Sequence, residues 1–194
     1  MHIGFIGLGN MARAIIAGMR ENDSFRNASI IGSDHNMDKR LELGERWRVT
    51  ILEDDISVAM QADMLVLAVK PQALSVLFKR IIPVRKPGQC ILSLAAGKSL
   101  VWLAKSLGTE SPVIRAMPNL AARVGSSVTA LCANDQVIET QKNLATEIFG
   151  AVGQAVWMTE DRMKAFSTIT GAAPAFTFLY LEALASAGLK AGLP

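Results

Sequence analysis

The hexapeptide Gly7-Leu8-Gly9-Asn10-Met11-Ala12 fits the pattern GxGxxG/A and constrains the fold more than any other segment of the chain. The apolar run at 2–6 before it predicts a buried strand, and the apolar spacing at 11–20 after it predicts a helix. In that setting the first glycine permits a tight turn, the second admits a ligand to the backbone, and Ala12 lets the helix pack closely. The segment therefore predicts a dinucleotide site with its diphosphate at the helix N-terminus. The alternative is a glycine turn required only for packing.

Strands and helices alternate through the first 159 residues. Strands are predicted at 2–6, 29–33, 49–52, 64–69, 90–94, 113–117, 128–132 and 154–158, and helices at 11–20, 37–45, 56–61, 72–80, 100–107 and 136–149. Because the strands are apolar without alternation, both of their faces are predicted to be covered. The pattern predicts an α/β fold with a Rossmann-type, mainly parallel sheet. After residue 159 the pattern is purely helical, with helices predicted at 160–170 and 174–187.

The charge balance argues against a dedicated nucleic-acid binder. The chain has 20 basic and 17 acidic residues, a net charge of +3, and no basic stripe. The basic clusters Arg46/Arg48 and Arg80/Arg85/Lys86 are interpreted as solvated surface.

Cysteine and histidine usage points to a cytoplasmic protein without a metal site. Cys90 and Cys132 lie in apolar surroundings and are predicted to be buried free thiols in a reducing compartment. His2 and His35 have no Cys or His at ligand spacing. No signal peptide is predicted ahead of the first strand. The uncharged stretch 165–181 is short for a membrane span and is predicted to be a buried or interface helix.

Asp34 stands at the predicted end of the second strand, where an acidic side chain can accept hydrogen bonds from the adenosine ribose. A carboxylate there repels a 2′-phosphate, and the acidic turn 53–55 adds to that repulsion. No arginine stands in the turn 33–36, and the nearest basic side chains are Lys39 and Arg40. These residues by themselves favour NADH over NADPH. The alternative is that Asp34 caps the following helix.

Three later strand ends are also distinctive, and ligands of open α/β sheets lie beyond the carboxyl ends of strands. They are 68–71, whose Lys70 can meet a phosphate or ribose, 93–97, whose small residues suit a flat ring, and 115–119. In the last of these, a proline holds the preceding residue extended, which can aim Asn119 into the cleft. For each end, a structural turn is the competing interpretation.

Together these motifs resemble the pyrroline-5-carboxylate reductase family, which catalyses the last step of proline synthesis. The residues that carry the resemblance are Ile3-Gly4-Phe5-Ile6-Gly7-Leu8-Gly9-Asn10-Met11, Ala68-Val69-Lys70-Pro71, Ala95-Ala96-Gly97, Ile114-Arg115-Ala116-Met117-Pro118-Asn119 and Gly171-Ala172-Ala173-Pro174-Ala175-Phe176. The glycine loop is common to many reductases, whereas the last two runs are specific.

The resemblance implies reduction of the cyclic imine 1-pyrroline-5-carboxylate to L-proline by hydride from NADPH or NADH. It implies cofactor contacts at Ile6, Gly7, Leu8, Gly9, Asn10, Met11, Asp34, Asp55, Ala68, Val69, Lys70, Pro71, Leu94, Ala95 and Ala96. No metal or protein nucleophile is required, because the iminium carbon is already electrophilic and the coenzyme supplies the hydride. No single catalytic side chain is therefore assigned.

The substrate is expected near Asn119, Glu160 and the run Gly171, Ala172 and Ala173. Glu160 occupies the place of a family glutamate close to the substrate. Its alternative is a first-turn acid favoured by the helix dipole. If Pro174 begins a helix, the N–H groups around it can hold the substrate carboxylate, although an ordinary helix start is equally compatible.

The resemblance also implies two domains: residues 1–159 bind the dinucleotide, and 160–194 begin a helical dimerisation and substrate domain. The apolar face with Phe176, Leu179 and Leu184 predicts a homodimer or higher oligomer. Ala172 stands where the family has serine, Leu120-Ala121 stand where it has Thr-Pro, and the family continues beyond Pro194. These departures keep open a catalytically inactive dinucleotide-binding remnant. A hydroxyacid dehydrogenase is disfavoured, because the last predicted helix lacks the lysine that such enzymes carry.

Overall fold

Eight strands form one sheet in a computed structural model that describes residues 1–193. The strands are β1 His2–Ile6, β2 Ser29–Ser33, β3 Thr50–Ile51, β4 Met64–Leu67, β5 Cys90–Ser93, β6 Val113–Met117, β7 Ser127–Ala133 and β8 Gly153–Trp157. The helices are α1 Asn10–Glu21, α2 Met37–Trp47, α3 Asp55–Gln61, α4 Leu74–Ile81, α5 Leu100–Leu107, α6 Glu139–Gly150 and α7 Glu160–Lys190. Short 3₁₀ helices span Asp23–Phe25, Pro71–Ala73 and Leu120–Val124. Pro194, the last residue of the predicted second domain, lies outside the described residues.

The strand order is β3-β2-β1-β4-β5-β6-β7-β8. All neighbouring strands are parallel except β6 and β7, which are antiparallel. The predicted α/β fold with a Rossmann-type, mainly parallel sheet is therefore confirmed. Strand order reverses between β1 and β4, and this switch point is where α/β sheets open a ligand crevice.

Two apolar cores cover the two faces of the sheet. Phe5 of β1 packs with side chains of α1, α2 and α6, whereas Ile6, the next residue, packs with side chains of α3, α4 and α5. Successive strand residues point to opposite faces, so strands without alternation fit a sheet that is covered twice.

The two cysteines are buried free thiols, as predicted. Burial raises the pKa of Cys90 to about 12 and that of Cys132 to about 11. Neither thiol is therefore a thiolate near neutral pH, and buried thiols of this kind are chemically inert.

The prediction of two helices after residue 159 is wrong. α7 runs without interruption from Glu160 to Lys190 and contains Pro174 in its interior. A proline removes one backbone hydrogen bond, but Ala172, Ala173 and Ala175 flank it and the turns after it are rich in alanine and leucine, which favours continuation of the helix.

Of the two alternatives predicted for the segment 165–181, a buried or an interface helix, the structure does not show burial within the single chain. Met163 is the only residue of α7 that is buried, and it packs with Ala130 and Cys132 of β7. By contrast, Phe176, Leu179 and Leu184 are 71 %, 64 % and 52 % exposed. Among residues 1–193, α7 is the one helix long and apolar enough to cross a membrane by length and composition. That criterion is weak for one helix, and an interface helix meets it as well.

Candidate active site

A cavity of about 320 Å³ lies at the carboxyl ends of β1, β2 and β4. Predicted cofactor residues that line it are Ile6, Gly7, Gly9, Asp34, Asp55, Ala68, Val69 and Lys70. Residues from four separate segments therefore meet at the switch point of the sheet. This placement supports the predicted dinucleotide crevice.

The glycine loop has the shape that a dinucleotide diphosphate requires. Gly7 has a φ of +89°, and a Cβ on it would lie 2.8 Å from the carbonyl oxygen of Ala68. A Cβ on Gly9 would meet nothing within 4 Å, so the backbone there is open to a ligand. Gly9 caps α1 without a side-chain hydrogen bond, and the first turn of α1 has no acidic residue. The backbone N–H groups in the first turn of α1 are therefore available to phosphate oxygens.

Asp34 is tied to the backbone on both sides. Its Oδ2 accepts a 2.7 Å hydrogen bond from the N–H of Leu8, and its Oδ1 accepts a 2.8 Å bond from that of Asn36. Nζ of Lys39 lies 3.7 Å from Oδ2. Burial by itself raises the pKa of Asp34, but these hydrogen bonds and the charge of Lys39 outweigh it and lower the pKa below its ordinary value.

The alternative in which Asp34 caps the following helix is wrong. Asn36 is the N-cap of α2, and its Oδ1 accepts a 3.1 Å hydrogen bond from the N–H of Lys39. The cap lies two residues later than that alternative required, because Asp34 already accepts hydrogen bonds from Leu8 and Asn36.

Asp55 forms part of the cavity wall in a buried polar network. Its Oδ1 accepts a 2.8 Å hydrogen bond from the hydroxyl of Ser33, and its Oδ2 accepts a 3.1 Å bond from Arg80. The network joins the end of β2 to α3 and α4, and it neutralises the carboxylate inside the cavity. Asp54, not Asp55, caps α3.

The remaining predicted cofactor residues do not line this cavity. Leu8 is fully buried. The N–H of Leu94 donates a 3.0 Å hydrogen bond to Leu67, which places Leu94, Ala95 and Ala96 in the loop beside the end of β4. Asn10 lines a neighbouring cavity with arginines, and neither Met11 nor Pro71 lines the crevice.

Glu160 lines a second cavity of about 540 Å³ with Gly97, Lys98 and Arg115. Its Oε1 accepts a 2.7 Å hydrogen bond from the N–H of Leu100 and a charge-assisted bond from the guanidinium of Arg115. This carboxylate therefore joins β6, the N-terminus of α5 and the first turn of α7. The sequence alone did not predict Arg115 as its partner.

The other predicted substrate residues lie further along the chain. Oδ1 of Asn119 is buried without a hydrogen-bond partner within residues 1–193, while its N–H donates to Ser127. Gly171, Ala172 and Ala173 lie in the middle of α7. No helix begins at Pro174, so the predicted anion site built on a helix start there is wrong.

Sequence analysis missed three residues that line the coenzyme crevice: His35, Lys39 and Ala73. His35 and Lys39 follow Asp34 by one and five residues, so proximity to that strand end was the available signal. Within residues 1–193, no group of three or more His, Cys, Asp or Glu side chains is placed to hold a metal ion.

Two protein families match parts of this chain. The family described as NADP oxidoreductase, coenzyme F420-dependent, matches residues 2–97, and the one described as pyrroline-5-carboxylate reductase dimerisation matches residues 160–194. The pyrroline-5-carboxylate reductase of Pseudomonas aeruginosa is 36 % identical over 192 residues, which are 98 % of this chain and 70 % of that protein. The chain belongs to the pyrroline-5-carboxylate reductase family. The enzyme of that name from Synechocystis is also 36 % identical, over 100 % of this chain and 72 % of its own length.

Solved structures of the pyrroline-5-carboxylate reductase family have the same fold. The reductase from Coxiella burnetii superposes with a TM-score of 0.92 at 36 % identity, over 99 % of this chain and 72 % of that one. The Plasmodium falciparum pyrroline carboxylate reductase with NADP bound superposes with a TM-score of 0.88 at 25 % identity, over 100 % of this chain and 71 % of that one. The resemblance seen in the motifs is confirmed.

Proposed function

We propose that this chain reduces 1-pyrroline-5-carboxylate to L-proline with NADPH or NADH. The observation that carries the proposal is the crevice at the sheet switch point, whose glycine loop fits a dinucleotide in a chain of this family. When bound, the coenzyme supplies the hydride that adds to the imine carbon. In the reacting iminium form the nitrogen is already protonated, and this proton becomes the N–H of the product amine.

The chain's own contribution to this reaction is binding and orientation. N–H groups of the loop at Gly9 and of the first turn of α1 would hold the diphosphate, and Asp34 would face the adenosine ribose. Leu94, Ala95 and Ala96 would meet the nicotinamide end, since their loop follows the strand beside β4. Holding donor and acceptor carbons in contact reduces the entropic part of the barrier.

The substrate would lie beyond the nicotinamide, between Asn119, Glu160 and the small residues Gly171, Ala172 and Ala173. The unpartnered Oδ1 of Asn119 supports this placement, because a buried acceptor without a donor is costly unless a ligand satisfies it. Glu160 is proposed as a positioning residue, since Arg115 and the N–H of Leu100 already bond its Oε1.

The active form is proposed to be a cytoplasmic homodimer. Residues 1–159 would form the dinucleotide-binding domain, and 160–194 would belong to a helical domain that pairs with a second copy. The exposed apolar side chains of α7 and the match to a dimerisation family support this assembly. Such a face is stable in water when a second copy covers it.

The test is a coupled measurement of coenzyme oxidation and proline formation with pyrroline-5-carboxylate. The expected result is one proline for each NADPH or NADH oxidised. Coenzyme binding is measured separately by fluorescence titration. Coenzyme binding without proline formation would instead identify a dinucleotide-binding protein that does not catalyse the reduction.

A further inference from the structure

Two cavities that share Arg46 and Trp47 lie beside α1 and α2, with volumes of about 280 and 350 Å³. We call them together the arginine cleft. Six of the chain's eleven arginines line it: Arg13, Arg20, Arg26, Arg46, Arg48 and Arg123. None of the lining residues also lines the cavity of the coenzyme crevice. Asn10 is shared in another way, because it begins α1, whose first N–H groups are proposed to hold the coenzyme diphosphate.

The positive charge of the arginine cleft is poorly compensated. Glu42 is the one acidic residue in its lining, and it pairs with Nη2 of Arg13 at 2.8 Å. Arg26 pairs with Asp23, which lies outside the lining. Within residues 1–193, no carboxylate lies within 4.0 Å of Arg46, Arg48 or Arg123. The dipole of α2 favours a cation such as Arg46 in its last turn. That effect does not explain why arginines from four separate segments line one cleft.

One arginine of the cleft has an unsatisfied donor. Nε of Arg13 is buried and has no hydrogen-bond partner within the described part of the chain. A buried guanidinium donor without an acceptor costs free energy, and an anion in the cavity that Arg13 lines would supply that acceptor.

The base of the cleft is held rigid by Arg20. Its guanidinium donates to the carbonyls of Trp47 at 2.8 Å, Ala28 at 2.9 Å and Arg48 at 2.9 Å. Burial, followed by the charge of Arg48, lowers the pKa of Arg20. Arg48 itself has a φ of 51°, a left-handed conformation in which glycine is usual. The two like charges are therefore held together by the backbone, and an anion between them would relieve the repulsion.

We propose that the arginine cleft binds a small oligophosphate anion. Planar guanidinium groups bind phosphate oxygens through paired N–H donors, and several of them converge on a space large enough for a few phosphate groups. The indole of Trp47, with the guanidinium of Arg46 5.1 Å from its ring centroid, forms an apolar wall on which a nucleotide base can stack. The anion can thus be an inorganic chain or the phosphates of a nucleotide. Its binding does not require the reduction proposed above.

The test is calorimetric titration of the full chain with tripolyphosphate and with ATP, each with and without saturating NADPH. We expect one site per chain that persists when NADPH fills the coenzyme crevice. The variant Arg46→Gln/Arg48→Gln is expected to weaken binding about tenfold or more, as the loss of two charge-assisted contacts predicts. The control Lys79→Gln/Lys105→Gln removes the same charge from exposed positions on α4 and α5 and is expected to bind as the original chain does.

The two titrants distinguish the sources of the phosphate. Tighter binding of ATP indicates a nucleotide whose base packs on Trp47, and equal binding indicates that the phosphate chain is sufficient. Either result supports the proposal that the arginine cleft binds an oligophosphate anion. Loss of tripolyphosphate binding in the presence of NADPH, or equal weakening in both double variants, would overturn the proposal. Arg123→Gln tests the cleft from a separate segment should the double variant fail to fold.

Discussion

The main-chain N–H of Leu8 donates a 2.7 Å hydrogen bond to Oδ2 of Asp34, which joins the glycine loop to the end of β2. Asp34 therefore has a structural function that is present before any coenzyme binds. Its second oxygen accepts from Asn36, so the carboxylate also shapes the turn that leads into α2. Only the ionised carboxylate accepts strongly at both oxygens, so the two hydrogen bonds together favour that form.

This relationship predicts how stability depends on pH. Because the pKa of Asp34 is lowered in the folded chain, its contribution is present above the ordinary value of 3.8 and is lost as pH falls through the folded pKa. At pH 7, Asp34→Asn is expected to reduce the free energy of unfolding by about 1–2 kcal/mol, since an amide cannot accept both bonds. The difference should shrink in urea titrations at progressively lower pH. Glu45→Gln, at an exposed position of α2, is the control, and an equal effect there would contradict the prediction.

Lys39 is expected to influence coenzyme preference. Its ammonium lines the crevice 3.7 Å from Asp34, where a 2′-phosphate on the adenosine ribose would lie. Lys39→Ala should raise the Kd of NADPH about five- to tenfold, because one charge-assisted contact is lost, and should leave that of NADH nearly unchanged. Fluorescence titration with both coenzymes measures this. An identical change for the two coenzymes would exclude a phosphate contact, and Lys105→Ala controls for net charge.

Alanine substitutions at the two loop glycines should have different effects, one on folding and the other on coenzyme binding. Gly7→Ala places a Cβ 2.8 Å from the carbonyl oxygen of Ala68 at a φ of +89°, so we expect a loss of about 1–3 kcal/mol in unfolding free energy. Gly9→Ala meets no atom within 4 Å and should fold normally, yet its methyl group would occupy the space that the diphosphate approaches. Thermal unfolding and coenzyme titration of both variants test this. Equal stability of the two variants would refute the distinction.

Glu160 is expected to stabilise the junction between the sheet and α7. Glu160→Gln keeps the acceptor but weakens the pairing with Arg115, so the free energy of unfolding should fall by about 1–2 kcal/mol. The neighbouring acid offers a matched control, because Asp161→Asn removes a first-turn charge of α7 that makes no contact with Arg115. If both variants lose equal stability in chemical denaturation, the helix dipole and not the ion pair explains Glu160.

The apolar face of α7 should determine the oligomeric state. Leu179→Glu puts a charge on a side chain that is 64 % exposed in the single chain and is proposed to be covered by a second copy. Light scattering is expected to show a dimer for the original chain and a monomer for this variant. Thr140→Glu adds the same charge to an exposed site of α6, outside α7, and should leave the dimer intact. A monomeric original chain would contradict the proposed assembly.

Several elements with strong local sequence signals were predicted correctly. β2, β6 and α5 begin and end at the predicted residues, because apolar runs between turn-forming residues specify strands and helices within a few positions. The ends of some other strands were predicted less accurately. β4 ends at Leu67, not at residue 69, since backbone pairing with β1 and β5 stops there and sequence periodicity does not report it.

Which distant side chains meet depends on the three-dimensional packing of the chain. The residues of the pair Glu160 and Arg115 are 45 positions apart in sequence. The network of Ser33, Asp55 and Arg80 joins the end of β2 to the helices α3 and α4. The local sequence also does not predict whether α7 ends at Pro174 or continues through it. The free-energy cost of a proline inside a helix competes with the helix propensity of the neighbouring turns. The glycine pattern thus predicts a strand, a turn and a helix from short-range sterics. The crevice wall and the arginine cleft arise from long-range packing, for which periodicity specifies a buried face but not its partner.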